Sequence, residues 1–272
     1  MKANAVVLVL VLGLGSCGGD RETPQIAGPS PVIAGLAISS STDLLKIKQS
    51  ETFTVTATMS NGSTSTVTAT WRSENPTVAT VDASGRVTGV GSGETAISAE
   101  ASNVRATPRR IRVLPDYQGR WSGDWRVAGC TTEGDWGRTD ICRDVRVDSL
   151  LSLALTLTQD RDNASGNVTL DDVAGPVQGP IRPGGQLNLA GAFTEADEGI
   201  VLEITISDWE TTTTDNQRMT GRFTLAFRAT GLQGSVRFNG ELRIVAKSGA
   251  ASVSATGGQL RLRRALAAAA RR

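Results

Sequence analysis

Histidine is missing from all 272 residues. Its absence removes the usual general base at neutral pH and the commonest transition-metal ligand. Ser-His-Asp and Cys-His catalytic sets and His-based zinc sites are therefore excluded. Aromatic residues are sparse, with 5 Trp, 5 Phe and 1 Tyr, and there are only 3 cysteines. Neither sign of charge dominates: 28 Lys and Arg face 27 Asp and Glu, a net charge of +1. A nucleic-acid partner, which calls for a strongly basic face, is not indicated. The apolar run Ala5 to Leu14, "AVVLVLVLGL", is about half the ~20 residues that a helix needs to cross a bilayer. Nucleotide motifs with ordered glycines and a lysine are absent. What is abundant is glycine, 30 residues of it, together with Thr, Val and Ser. That mixture suits short strands joined by tight turns, and the length suffices for two domains, each with its own core.

The N-terminus reads as an export signal. Lys2 precedes the Ala5–Leu14 run, whose length fits the apolar part of a secretory signal, typically ~7–15 residues. Leu14-Gly15-Ser16-Cys17 then resembles the bacterial lipobox, at which a lipoprotein is acylated on cysteine and cleaved before it. The resemblance implies that Cys17 becomes the first mature residue and carries acyl chains, with the lipid bilayer as partner. Each buried methylene contributes ~0.8 kcal/mol, so several chains anchor stably where one does not. Gly18 after the cysteine implies the outer membrane. Residues 1–16 are then the signal peptide, and residues 17–31, "CGGDRETPQIAGPSP", form a flexible tether.

From residue 32 to 114 the pattern is alternation. "ETFTVTATM" places Phe53, Val55, Ala57 and Met59 on one face and threonines on the other, a half-buried strand. An Asn61-Gly62 turn follows, then further short strands, a spacing that implies a sandwich or barrel. Trp71/Ser73, Asn75-Pro76-Thr77-Val78-Ala79-Thr80-Val81, Gly85-Arg86-Val87-Thr88-Gly89 and Gly93 through Ile97 and Ala99 together resemble the bacterial Ig-like group 2 (BIG2) family. Val78, Val81, Val87, Val90 and Ile97 are expected to point inward, and Trp71 to pack in the core. The resemblance implies a surface-protein module that serves as an adhesive domain or, for a single copy, as a rigid spacer.

Residues 115–247 have a different composition. Tyr117, Gly119, Trp121 and Gly123 alternate on a first strand. A polar stretch bracketed by Cys130 and Cys142 follows, and in an exported protein this pair is expected to be oxidised. With no further Cys or His to complete a shell, a zinc site is not expected. Then come Leu151/Leu153/Leu155/Leu157, Ile200/Leu202/Ile204/Ile206, Met219/Phe223/Leu225/Phe227 and Val236/Phe238/Leu242/Ile244 in alternation. About eight consecutive strands with hairpin-length links predict an antiparallel up-and-down barrel. The fold class is therefore all-β, an Ig-like β-sandwich followed by a β-barrel.

Gly119-Arg120-Trp121 resembles the Gly-x-Trp start of lipocalins and related calycin barrels. That resemblance implies a late-strand arginine, Arg243 or Arg237, over Trp121, and an apolar-ligand site at the barrel mouth with Trp125 and Trp136 near its rim; Trp121, Trp125 and Trp136 are the candidate ligand contacts. The alternative is an interior filled by side chains, with Trp121 plugging the barrel bottom. "DRDNASG" (160–166) lacks the oxygen ligand and glycine of a calcium loop and reads as a hairpin turn. Asp171 and Asp172, read as strand neighbours, point to opposite faces and do not converge. Asp208 and Glu210 share a face without a sign of burial. The tail, 248–272, is basic and alanine-rich. It is expected to add a short strand at "QLRLRR", then a frayed, solvated helix.

These readings predict a non-enzymatic cell-envelope lipoprotein without cofactor, metal or catalytic residues, in which an Ig-like spacer displays a barrel for surface interaction or adhesion. Its partner would be a cell-surface polymer, a protein or a small apolar ligand. A lipocalin-like carrier of an apolar ligand is the alternative, and a carboxylate-based hydrolase ranks last.

Overall fold

The structure, a computed structural model, describes residues 30–197, 199–213, 215–247 and 262–271. The signal peptide, Cys17 and all but the end of the tether lie outside the described residues, as do residues 248–261 of the tail.

The first unit runs β1 (Ile33–Ser39), β2 (Leu44–Lys46), β3 (Ser50–Thr52), β4 (Thr54–Met59), β5 (Thr64–Thr66), β6 (Thr70–Ser73), β7 (Ala79–Val81), β8 (Arg86–Gly89), β9 (Gly93–Ala101), β10 (Val104–Arg105) and β11 (Arg109–Leu114). They form three small sheets, ordered β1-β4-β5, β10-β9-β11-β2 with β6 also on β9, and β3-β8-β7. The alternation of β4 does what its sequence predicts: Phe53, just before it, and Val55 and Ala57 are buried, while Thr54 and Thr58 face solvent. Phe53, Val87, Ile97, Ile111 and Val113 form one core cluster, Val55, Ala99 and Ala106 a second, and half-buried Trp71 packs against both. Gly85 sits beneath that indole at φ +82°, where an added Cβ would lie 2.9 Å from the ring. Val90, expected inward, is 47% exposed. It follows the last residue of β8, so strand alternation no longer sets its direction.

Eight longer strands make the second unit: β12 (Gly119–Thr132), β13 (Leu150–Asp160), β14 (Asn163–Leu170), β15 (Val173–Pro180), β16 (Leu187–Asp197), β17 (Ile200–Thr212), β18 (Arg218–Ala229) and β19 (Val236–Lys247). They close in sequence order into an antiparallel barrel. A 3-10 turn (Gly134–Arg138) and helix α1 (Ile141–Asp144) lie in the β12–β13 loop, and helix α2 (Leu262–Ala270) follows the barrel. Closure needs strong bending, and inward-facing glycines supply it. An added Cβ would fall 1.8 Å from the Thr156 carbonyl oxygen at Gly166, 1.7 Å from that of Asn188 at Gly179 and 2.2 Å from that of Glu210 at Gly221. Elsewhere an aromatic ring covers the missing side chain of a neighbouring strand, Phe223 over Gly240 and Phe193 over Gly175.

The interior is one continuous apolar cluster in which the leucines of β13, Ile204, Ile206, Phe223, Phe227, Phe238 and four tryptophans interdigitate. Phe223 stacks on Trp209 at 4.7 Å and tilts against Trp125 at 5.2 Å. Helix α2 corrects two expectations for the tail. Residues 262–264 are helical rather than a strand, and the helix is not solvated: Leu262, Leu266 and Ala269 join the barrel cluster. Spacings of three and four residues bring these side chains to one face.

Candidate functional site

The sequence-nominated residues do not come together as a ligand site. Cys17 lies outside the described residues. Cys130 and Cys142 form a disulfide with Cα atoms 5.6 Å apart, tying the end of β12 to α1. Trp121, Trp125 and Trp136 are buried to within 1%, which corrects the placement of Trp125 and Trp136 near an open rim. Trp125 packs in the barrel core, Trp136 in the disulfide loop over one end, and Trp121 at the other end, donating its Nε1–H to the Tyr117 carbonyl at 2.8 Å. The cation over Trp121 is Lys247, its Nζ 5.3 Å from the ring, not Arg243 or Arg237. A register shift between Ser122 and Asp124 places Lys247 opposite Trp121.

The carboxylate pairs also differ from expectation. Asp171 and Asp172 occupy the β14–β15 turn, with Asp171 at φ +60°, so strand parity does not separate them. They converge on the start of α2: Asp171 Oδ2 accepts Leu262 N–H and Asp172 Oδ1 accepts Arg263 N–H, each at 2.8 Å. The anionic groups satisfy orphan donors at a helix N-terminus. Asp208 lies at a bulge in β17 and accepts a hydrogen bond from Ser207 Oγ, while Glu210 pairs with Arg222 at 3.0 Å. Among the described residues no three metal-ligating side chains converge.

A constellation that sequence reading missed is the junction between the two units. Asp116, in the short link between β11 and β12, is held by one lysine from each side: Lys46 Nζ at 2.7 Å from Oδ1 and Lys247 Nζ at 3.0 Å from Oδ2. Partial burial pushes the Asp116 carboxyl up, but both ammonium groups oppose it and hold the carboxyl below the usual carboxylate range. Asn216, from the β17–β18 loop, accepts the Asp116 N–H at 3.0 Å and donates to the Ile47 carbonyl. Tyr117 is fully buried, and its hydroxyl donates to the Gly185 carbonyl at 2.7 Å; burial raises its pKa far above the ordinary phenol value. Beside this joint, Arg112 of β11 reaches Glu94 at 3.1 Å and, across the junction, Asp162 at 3.4 Å. These groups line a cleft of about 780 Å³ with Arg110, Arg161 and Glu74. Its mixed charge suits a polar guest rather than an apolar one. No linear motif announces it, because its members are joined only by the docking of two units.

The sheets of the first unit, with Trp71 between two clusters and glycine turns beneath it, agree with a family assignment. Residues 33–108 match the bacterial Ig-like domain (group 2) family. No curated protein matches the chain. Solved structures similar at 16% identity include two from the S-layer protein SbsC. Its domains 5–6 align over 77% of this chain and 97% of theirs, with a TM-score of 0.28. Its domains 4–9 align over 77% of this chain and 31% of theirs, with a TM-score of 0.27. Likeness at that level does not extend to a shared overall fold. The Ig-like module accounts for the first unit, and the barrel stands outside its match.

Proposed function

We propose that this protein is a non-enzymatic cell-envelope display protein. An acylated Cys17 anchors it in the outer membrane: the mature chain leaves the bilayer through the tether, and the Ig-like module is a rigid spacer that presents the barrel to a surface polymer or protein.

 The observation that carries this reading is the clamped joint. Asp116 is shared by a lysine from each unit, Asn216 stitches the β17–β18 loop to Ile47, and Arg112 reaches Asp162. Such cross-links oppose the free hinge motion that is the default between domains joined by a short link. The match to the bacterial Ig-like family supports the spacer role, and the filled interior favours an outer interaction surface over carriage of a guest.

Two measurements test the reading. Intact mass of membrane-extracted protein is expected to start at Cys17 with added acyl mass; an unmodified Cys17, or cleavage elsewhere, refutes the anchor. Residual dipolar couplings of the soluble mature chain are expected to fit one common alignment tensor for both units. Independent tensors refute the rigid display.

A further inference from the structure

The barrel is closed unevenly. The β13–β14 ladder runs unbroken from Leu153↔Leu170 to Asp160↔Asn163, and the β14–β15 ladder from Leu170↔Val173 to Asn163↔Pro180. Between β15 and β16 the ladder is reduced to a single register pair, Gln178↔Ala190, with an isolated bridge at Ile181↔Leu187 beyond it.

The sequence of β15 explains why. In an antiparallel strand alternate residues direct their N–H groups to the same neighbour. Ala174 donates toward β16, so the positions facing that strand are 174, 176, 178 and 180. Pro176 and Pro180 have no N–H to give. The Ala174 N–H goes to a side chain, Glu195 Oε1, at 2.9 Å. Packing substitutes for the missing bonds where the Phe193 ring lies on Gly175.

Helix α2 lies across one end of this seam. Its first N–H groups are held by Asp171 and Asp172, on the β15 side. Its Arg263 faces Glu195, on the β16 side, at 3.8 Å. Glu195 thereby meets both the helix and the Ala174 N–H.

We propose that α2 is a clasp across the β15–β16 seam: seated, it holds the barrel shut, and released, it lets the seam part and opens the apolar interior from the side. The clasp is held by charge-assisted caps and a long ion pair. At its seat Asp172 Oδ2, Glu195 Oε2 and Arg263 Nε are buried without a hydrogen-bond partner among the described residues. Such groups weaken a contact, which lowers the cost of lifting the helix from its seat.

Hydrogen exchange on the full mature chain, disulfide intact, tests the clasp. In the Asp171→Ala/Asp172→Ala variant, amides of β15, β16 and α2 are expected to exchange about tenfold faster, the size of effect that loss of helix caps produces. Those of β12, β13, β18 and β19 should stay unchanged. The variant should also bind the dye anilinonaphthalene sulfonate. A second variant adds Gln178→Cys/Ala190→Cys to the Asp171→Ala/Asp172→Ala chain and cross-links the register pair of the ladder, a separation that suits a disulfide. With the cross-link formed, the seam is expected to stay protected and dye binding to vanish, although α2 still exchanges quickly. Faster exchange confined to α2, or spread evenly over every strand, overturns the proposal. So does dye binding that survives the cross-link.

Discussion

Replacing Asp116 with asparagine keeps the shape of the joint and removes its charge. Two unit charges 4 Å apart are worth ~4 kcal/mol at an effective dielectric of ~20, before desolvation is subtracted. Asp116 is about 30% exposed and its partners 35% and 19%, so desolvation and solvent screening reduce each pair well below that figure. A loss of ~1–2 kcal/mol for the two pairs together follows, or a fall of roughly 2–8 °C in the melting temperature of a chain this size. The assay is thermal unfolding of the mature protein at pH 7 and across an acid series. The sign is fixed by linkage. The folded-state pKa of Asp116 lies below its ordinary value of 3.8, so its contribution is complete above the unfolded value and is lost as pH falls through the folded one. The wild-type advantage over Asp116→Asn is therefore expected to hold from pH 7 to about 5 and to shrink below pH ~4. An advantage that stays constant down to pH 2.5, or no advantage at pH 7, refutes the electrostatic account of the joint.

Other perturbations separate the remaining contacts. Gly179→Ala drives a methyl onto the Asn188 carbonyl oxygen, whereas Gly184→Ala meets nothing within 4 Å. The first is expected to destabilise by ~3 kcal/mol or more and the second to be neutral or stabilising by ~0.4–1 kcal/mol, read by urea titration; similar costs for both refute the close-approach argument. Cys142→Ser opens the Cys130–Cys142 link, with an expected loss of ~3 kcal/mol. Its extra hydrogen exchange should concentrate between residues 133 and 149, and a uniform increase along the chain contradicts that placement. Lys247→Met removes the cation over Trp121 and one arm of the joint, so it should blue-shift or quench tryptophan emission and lower the melting temperature by a few degrees. An unchanged spectrum contradicts the ring contact.

How far the sequence was legible depended on whether local parity survived. Phe53, Val55 and Ala57 of the Ig-like module, and Leu151 through Leu157 of the barrel, could be placed because an unbroken strand alternates faces. Parity fails at bulges. In β12 the shift between Ser122 and Asp124 brings Lys247 opposite Trp121, so the partner of that indole could not be counted off from sequence. In β17 the shift between Ser207 and Glu210, with Asp208 at φ +50°, turns Trp209 into the core. The tail was misread for another reason. "LRRALAAAA" has a helical repeat, but its few leucines do not announce a seat built from the β14–β15 turn and α1. The junction is illegible in the same way, since Lys46, Asp116 and Lys247 are far apart in the chain and meet only after both units have folded.

The two halves of the barrel wall are held by different forces, and this bears on where a partner would act. From β17 round to β12 charges oppose one another across the strands. Glu210 bonds Arg222 at 3.0 Å, Arg222 stands opposite Glu241 in the ladder, and Arg126 bonds Glu241 and Asp148. Such cross-strand pairs favour one register over its one-residue slip. Apart from Asp160 at the end of β13, the outward positions of β13 to β16 are largely uncharged, among them Ser152, Ala154, Thr156, Asn167, Ala190 and Ala192, and the prolines of β15 remove ladder bonds as well. A partner that binds the charged half meets a wall whose register is already pinned. One that binds the neutral half lies over the weak seam, where its binding energy competes with one register pair, one isolated bridge, the Phe193 packing and the contacts of α2.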